Sequence, residues 1–290
     1  MRLSISLTIC LVGCTSPEEP KLPSATFTPH LEAHTAAIAC GEDIAFYGSA
    51  TADLRYDFVY DGAQRITAAN GVWLAYGETE SVAYTWSGDN LTNMLWTTSW
   101  DTSRVEITAS YDASNNLLDY TWEVATPDYT DEWNYAFSNY AAPYQPLREV
   151  ISQAGQPVVS YDLVYDDDRL VQAIPDSGPS TTWTYDDIAR TITVDTGNGA
   201  FVGVMTYAAD FRPLSSSWTG TDPSMIDGDE VYAWNGQQLD TITYRSGSEG
   251  APHTLELVQV DTMRYNCAMA LAGGRTMRIK SPPTHSRFGF

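Results

Sequence analysis

The sequence predicts an all-β protein: an antiparallel meander of about eight repeated hairpins that forms one elongated, twisted or curled sheet. Three observations lead to this prediction. One pattern of alternating aromatic residues, a short polar turn and a leucine or isoleucine recurs along the chain. The 290 residues include 9 Trp and 18 Tyr, which favour strands. Helical periodicity nowhere extends beyond about two turns.

Each repeat has the features of a β-hairpin. Aromatic residues two apart share one strand face, Asp, Asn and Gly fill the turn, and the next Leu or Ile returns to the same apolar layer. The last aromatic before each turn is called the pivot here, and the copy at 140 is degenerate. The pivots, 20 to 29 residues apart, are Tyr60, Trp86, Tyr111, Tyr140, Tyr165, Tyr185, Tyr207 and Trp234.

This spacing also bears on rival architectures. A β-propeller needs about 40 to 45 residues per blade, which exceeds the observed repeat. A transmembrane barrel exposes apolar residues to lipid on every strand, whereas Asp, Ser and Asn interrupt these strands. The composition does not break between 41 and 263, so we expect one repeat domain at 41–267.

The first residues form a targeting element. Met1-Arg2 is a positive start, an apolar run follows, and Leu11-Val12-Gly13-Cys14 resembles the lipobox of bacterial lipoproteins. The resemblance implies a signal peptide at 1–13, cleavage before Cys14 and lipid on Cys14, which would hold the protein to a membrane. Thr15 stands where an Asp often marks inner-membrane retention, so the resemblance favours the bacterial outer membrane.

Residues 14–40 are predicted to be the lipidated cysteine and a flexible linker. Prolines at 17, 20, 23 and 29 interrupt a segment with little apolar content, which favours an extended chain. His30 and His34 lie four residues apart, but HLEAH lacks the HExxH arrangement of a zinc site.

The repeats resemble the YD repeats of the Rhs family, whose pattern is roughly Tyr-Asp, two residues, Gly-Arg-Leu. Tyr60-Asp61 with Arg65 and Tyr185-Asp186 with Arg190 carry the aromatic and arginine spacing, although the glycine is absent. The repeats also resemble the YD-like bodies of bacterial envelope lipoproteins. Long Rhs arrays coil around a toxin, but eight short units are too few to enclose a domain, so encapsulation is not expected.

The charge of the chain bears on its partners. All 37 acidic residues lie between 15 and 263, and the formal net charge is −22. Such a surface repels phosphate backbones, so no nucleic-acid partner is expected. Asp166-Asp167-Asp168 and the acidic turn 227–230 could offer oxygen ligands to calcium, but neither follows an EF-hand pattern. Solvated hairpin turns are the favoured interpretation, and no cofactor or metal is predicted.

Two cysteines bracket the repeats. Once Cys10 leaves with the signal and Cys14 is lipidated, Cys40 and Cys267 form the intramolecular pair that remains. An oxidising compartment would allow them to form a disulfide that clasps the ends of the repeat domain. Two free thiols are the alternative.

No catalytic motif is visible, so we expect no enzyme: there is no G-x-S-x-G, no P-loop and no zinc-spaced cluster. We predict a non-enzymatic, lipid-anchored envelope or surface protein that is structural or binds a protein or a glycan. Trp183 and Trp234 beside carboxylates would suit carbohydrate stacking, although core positions are the favoured interpretation. The alternative function is a carbohydrate-active enzyme with paired carboxylates in an aromatic cleft.

The end of the chain differs from the repeats. From Arg264 onwards there is no acidic residue, while five of the 15 basic residues lie there. We expect 268–290 to be a basic, disordered tail, with docking on the acidic body or contact with anionic lipid as alternatives.

Overall fold

A computed structural model describes residues 31–34, 39–63, 65–197, 199–221, 226–236, 238–248, 251–265 and 276–279. Within these ranges the secondary structure is all β. The strands are β1 (Leu31–His34), β2 (Gly41–Phe46), β3 (Leu54–Tyr60), β4 (Ile66–Trp73), β5 (Thr79–Ser87), β6 (Asn90–Thr98), β7 (Arg104–Tyr111), β8 (Leu117–Ala125), β9 (Thr130–Ser138), β10 (Arg148–Gln153), β11 (Gln156–Asp166), β12 (Arg169–Pro175), β13 (Thr181–Asp186), β14 (Thr191–Thr196), β15 (Phe201–Tyr207), β16 (Pro213–Gly220), β17 (Gly228–Asn235), β18 (Gln238–Ser248), β19 (Ala251–Arg264) and β20 (Thr276–Ile279).

Strands β2 to β19 form one closed antiparallel barrel of 18 strands. The ring closes where β19 pairs with β2, from Gly41 opposite Arg264 to Phe46 opposite Gln259. The predicted open, elongated sheet is therefore wrong. Both edges of an open sheet would carry unpaired backbone groups, and pairing the first repeat strand with the last removes these edges. The meander of hairpins is retained, since every other neighbour in the ring is also a neighbour in sequence.

Successive turns alternate between the two ends of the barrel because every pairing is antiparallel. One end, called the YD end here, carries the turns that follow the eight pivots, together with the start of β2 and the end of β19. The other end, called the far end, carries the connections between repeats. The far-end turns after β2, β4, β6 and β8 span 47–53, 74–78, 99–103 and 126–129.

A shift of register marks most pivots. In six repeats the strand that follows the YD-end turn, called the outgoing strand here, carries one extra residue opposite the pivot. In the first repeat, for example, Tyr60 pairs with Ile66 and Val59 pairs with Ala68. Such a bulge lets the aromatic and the following Leu or Ile occupy the same face. The pivots with this shift are Tyr60, Trp86, Tyr111, Tyr165, Tyr207 and Trp234.

The apolar side chains of the repeats fill the inner face. The Leu or Ile opposite a pivot is buried, as for Leu117, Leu170 and Ile192, which are 2%, 1% and 0% exposed. Buried residues fall into three clusters that follow the order of the strands: β2 to β6, β8 to β15, and β17 to β19. The core is thus a belt of side chains that runs along the barrel wall.

The aspartate of the YD pair shapes its turn. The Asp61 carboxylate accepts hydrogen bonds from the amides of Ala63 and Arg65, both at 2.9 Å. Asp186 accepts from the amides at 188 and 189 in the same way, at 3.0 and 2.8 Å. These contacts are Asx turns, which satisfy backbone donors where the chain reverses. They explain why Asp follows the aromatic.

Six of the pivots also connect their repeat to the one before. The hydroxyl of Tyr111 donates to the carbonyl oxygen of Leu91 at 2.9 Å, and the indole N–H of Trp86 donates to that of Ile66 at 2.7 Å. In both cases the acceptor lies at the start of the preceding outgoing strand. The same bond joins Tyr60 to Ala39, Tyr140 to Leu117, Tyr185 to Leu170 and Trp234 to Pro213.

The arginine of the repeat contacts the next repeat. The guanidinium carbons of Arg169 and Arg212 lie 4.8 and 5.1 Å from the ring centroids of Tyr185 and Trp234. Arg65 lies 5.8 Å from Trp86 and donates to the carbonyl oxygen of Gly88. Cation–π contact and a hydrogen bond to the neighbouring turn therefore join adjacent hairpins along the YD end.

Two short strands that are not part of the barrel sheet pair with each other. Antiparallel β1 and β20 match Leu31 with Ile279 and His34 with Thr276. These strands belong to the segments predicted to be linker and tail. The remaining residues of both segments, including Cys14, lie outside the described residues except for Ala39 and Cys40.

Candidate functional site

The cysteines predicted as site residues are only partly described. Cys40 is disulfide-bonded, and its amide donates to the carbonyl oxygen of Arg264 at 2.7 Å. Cys14 and Cys267 lie outside the described residues. The register of β2 and β19 places Cys40 beside Tyr265, two residues before Cys267. The Cys40–Cys267 pairing therefore stays a prediction that this register supports.

The two tryptophans considered for carbohydrate stacking lie on the inner face. Trp183 is 8% exposed and belongs to the largest buried cluster. Trp234 is half-buried, donates from its indole N–H to Pro213 at 2.8 Å and lies under Arg212. Both serve the core and the contacts between repeats, as favoured from the sequence, so neither marks a glycan site.

The acidic turn at 227–230, one of the two considered for calcium, has protein partners. The Arg245 guanidinium donates a hydrogen bond from Nε to the Asp229 carboxylate, with an N to O distance of 2.8 Å. Glu230 is buried and accepts a hydrogen bond from the Tyr232 hydroxyl at 2.7 Å. In the part of the chain that the structure describes, no three His, Cys, Asp or Glu side chains come together in a way that could hold a metal ion.

Aromatic side chains, four of them exposed, gather on four successive far-end turns and on the strand ends beside them. We call this set the aromatic rim, and its members are Phe46, Tyr47, Trp73, Tyr76, Trp100 and Tyr129. Tyr47 and Tyr76 are 82% and 78% exposed, and Tyr129 and Trp100 are 59% and 42% exposed. The remaining five far-end turns contain no aromatic residue. The rim is thus confined to the arc from β2 to β9.

Three rim rings form a continuous row. Phe46 stacks on Trp73 with ring centroids 5.7 Å apart and an interplanar angle of 12°. Trp100 meets Trp73 edge to face, with centroids 6.4 Å apart and an angle of 81°. Aromatic rings favour both arrangements because of their quadrupoles. The row extends across three neighbouring turns, and Trp73 is half-buried at its centre.

Hydrogen bonds hold the turns that carry the row. The amide of Leu74 donates to Asp53 O at 2.9 Å, and the amide of Ser99 donates to Thr79 O at 2.8 Å, so each turn is tied to the next. Asp101 accepts from the hydroxyls of Thr98 and Ser103 at 2.6 and 2.7 Å. These side-chain bonds, together with the Ser103 amide, lower the pKa of Asp101. Trp100 therefore projects from a fixed turn.

The rim is acidic as well as aromatic. Its four turns contain Asp53, Glu78, Asp101 and Asp128 but no Lys or Arg, and Arg104, which follows the third turn, is paired with Glu123 at 2.6 Å. Glu80 lies just inside the rim, is 6% exposed, and accepts a hydrogen bond from the Trp73 indole N–H at 3.2 Å. Burial raises the pKa of Glu80.

A second carboxyl group lies deep in the wall. Glu149 is 2% exposed, and its buried Oε2 has no hydrogen-bond partner among the described residues. It pairs in register with Phe137 and Tyr161, and desolvation raises its pKa to about 8. Tyr120 and Tyr135 stack nearby with centroids 4.4 Å apart. Burial, with a smaller effect of the Glu149 charge, raises the pKa of Tyr135 to about 12.

The exposed face of the barrel carries ion pairs between neighbouring strands, together with exposed apolar side chains such as Val158 and Ile174. Arg104 lies 2.6 Å from Glu123, and Arg148 lies 2.6 Å from Asp162. Arg55 pairs with Asp43 in the same way at 2.8 Å.

The described residues contain no helix long and apolar enough to cross a membrane.

No family model matches the chain, and no curated protein matches it. Among solved structures, the chain is similar to a crystal structure of TcdB2-TccC3-TEV, with a TM-score of 0.38, 10% identity and 75% of this chain covered. It is also similar to the Photorhabdus luminescens Tc holotoxin pore, at a TM-score of 0.35, 10% identity and 68% of this chain. The chain spans 14% and 12% of the lengths of these two chains.

A porin-like protein from Bacteroides uniformis is similar over 84% of this chain and 100% of its own, with a TM-score of 0.39 and 7% identity. At such scores and identities, these likenesses give no information about function.

Proposed function

We propose that this chain is a non-enzymatic module of the bacterial envelope, attached by lipid on Cys14, which binds a partner at the aromatic rim. The rim is the observation that carries the proposal. Exposed aromatics are not needed to build the repeat, since five far-end turns lack them. Clustered exposed apolar surface with neighbouring polar groups is typical of binding sites.

Ion pairs on the exposed face of the barrel support attachment through lipid. Charged pairs such as Arg104 with Glu123 would be costly against hydrocarbon. Lipid on Cys14 would hold the barrel at a membrane without placing these charges in the bilayer. Several acyl chains on one cysteine provide durable attachment, because each buried methylene contributes roughly 0.8 kcal/mol.

Capture from solubilised envelope extract tests binding at the rim. The bait is the purified full chain, and the test variant combines Tyr76→Ala with Trp100→Ala. Tyr144→Ala is the matched control, because Tyr144 is 44% exposed at the YD end. We expect wild type and control to retain one envelope component that the double variant loses. Equal capture by all three proteins would contradict binding at the rim.

Metabolic labelling tests the anchor. Cells that express wild type or Cys14→Ser are grown with labelled palmitate and then fractionated. We expect label and membrane association for wild type and neither for the variant. A Cys14→Ser protein that is labelled and stays with membranes would contradict the proposed lipidation.

A carbohydrate-active enzyme is the second candidate, and Glu80 is the observation in its favour. A carboxyl group with a raised pKa beside Trp73 has the character of a general acid. Release of reducing ends from neutral polysaccharides by wild type, and its loss in Glu80→Gln, would favour the enzyme. No release by wild type would favour the binding module.

A further inference from the structure

We propose that the aromatic rim binds neutral polysaccharide, with Trp100 and Tyr76 stacking on sugar faces and Trp73 supporting Trp100 from within the row. This inference rests on the proposed function, because it names the class of ligand at the same rim. The polysaccharide would contact the four far-end turns between β2 and β9.

The form of the rim suits sugar rings. The C–H face of a pyranose is apolar and carries partial positive charge, which matches the negative face of an aromatic ring. Trp100 is 42% exposed and Tyr76 is 78% exposed, so both present ring surface to solvent. The row of Phe46, Trp73 and Trp100 extends over centroid separations of 5.7 and 6.4 Å. Trp73 therefore supports the neighbouring rings, and the exposed aromatics on four successive turns fit a chain of sugars better than a single small molecule.

The charge of the rim restricts the class of polysaccharide. The four turns hold Asp53, Glu78, Asp101 and Asp128 and no basic residue. Uronates, sulfated glycans and phosphate polymers would be repelled, and the guanidinium that follows the third turn, that of Arg104, is already paired with Glu123. Carboxylates accept hydrogen bonds from sugar hydroxyls instead. A neutral, hydroxyl-rich polymer is therefore the favoured ligand.

The rim is also fixed before any ligand arrives. Asp101 holds the turn of Trp100 through Thr98 and Ser103, and the bond from the Leu74 amide to Asp53 ties the first two turns together. A surface with little freedom to lose pays less entropy when it binds. An aromatic row on mobile loops would lack this advantage.

Affinity electrophoresis tests the inference with the purified full chain in mild non-ionic detergent. The gels contain mixed-linkage β-glucan, galactomannan or arabinoxylan, with alginate and polygalacturonate as anionic counterparts. Wild type, Tyr76→Ala, Trp100→Ala and the control Tyr144→Ala are run side by side, and circular dichroism confirms that each is folded. Ligand-free gels give the reference mobility.

We expect at least one neutral polysaccharide to retard wild type and Tyr144→Ala, and neither anionic polymer to do so. Trp100→Ala and Tyr76→Ala should each weaken retardation about fivefold or more, the loss expected for one stacking contact. Retardation by alginate, equal retardation of all variants, or no retardation by any neutral polymer would overturn the inference. If the envelope capture experiment still depended on Tyr76 and Trp100 in that last case, the rim would bind another class of partner and the proposed function would stand.

Discussion

The hydroxyl of Tyr265 donates a hydrogen bond to the carbonyl oxygen of Leu239 at 2.8 Å. This is the bond that Tyr111 makes to Leu91 in the middle of the array. Tyr265 is therefore a further pivot, beyond the eight found by their turns. Tyr265 follows β19, which pairs with β2 as the two strands of a hairpin do, although no turn connects these two strands. The first and last strands thus complete the ring as one more repeat.

Removing the pivot hydroxyl should weaken the ring. We expect Tyr265→Phe to lower the free energy of unfolding by about 1 kcal/mol, because a buried carbonyl loses its donor. Chemical denaturation measures the change. Tyr129→Phe, at an exposed far-end position, is the matched control and should leave stability unchanged. Identical midpoints for wild type and Tyr265→Phe would show that the bond does not contribute.

The YD turn should depend on its aspartate. Burial opposes ionisation of Asp61, but bonds from the amides of Arg65 and Ala63 and from the Arg65 side chain outweigh it and lower its pKa. We expect Asp61→Ala to cost roughly 1 kcal/mol and Asp61→Asn to cost less, since the amide oxygen still accepts from the backbone.

The pH dependence of Asp61 follows from the direction of its pKa. Its contribution is present above its ordinary pKa of 3.8 and is lost as the pH falls through the lowered value. The difference between wild type and Asp61→Ala, measured by urea denaturation, should therefore shrink below pH 4. A difference that stays constant down to about pH 2 would contradict this.

Glu149 should make the fold less stable as the pH rises. Its pKa is about 8 in the barrel against an ordinary value of 4.5, so the unfolded chain loses the proton first. The cost grows from about pH 4.5 to about pH 8 and then levels off. We expect Glu149→Gln to exceed wild type by roughly 1 to 3 kcal/mol at pH 8 and to match it near pH 4. Denaturation at both values measures this, and a gap that is independent of pH would contradict it.

The disulfide predicted between Cys40 and Cys267 can be tested directly by peptide mapping. Cys40 already carries a disulfide beside the β19–β2 seam, so we expect non-reducing mass spectrometry to find it joined to Cys267. A loop of this length constrains the unfolded chain by roughly 5 kcal/mol in the entropic model. Reduction should therefore lower the unfolding temperature of wild type and leave that of Cys40→Ser unchanged. A Cys40 peptide joined to any other residue would refute the pairing.

The hairpins could be predicted from the sequence because their causes are local. Tyr60, Asp61 and Ile66 lie within seven residues, and together they specify a strand, an Asx turn and a return to the same face. The core positions of Trp183 and Trp234 followed from the same alternation. These contacts need no information from distant parts of the chain.

Closure and the rim could not be predicted in the same way. The seam joins 41–46 to 259–264, so the strand that pairs with the end of β19 lies at the opposite end of the repeat domain in the sequence. The rim lies in the connections between repeats, which the repeat pattern leaves out. One signal was available: Tyr47, Tyr76, Trp100 and Tyr129 recur 29, 24 and 29 residues apart, in positions where the core requires no aromatic.

Amide hydrogen exchange across the seam tests the closed ring most directly. The amide of Cys40 donates to Arg264 O at 2.7 Å, and the amide of Tyr47 donates to Val258 O at 2.9 Å, one at each end of the β19–β2 pairing. In a closed barrel, amides of 41–46 and 259–264 should be protected as strongly as those of the β7–β8 hairpin. If the amides of Cys40 and Tyr47 exchange as fast as those of the far-end turns, the sheet is open and the closed barrel is wrong.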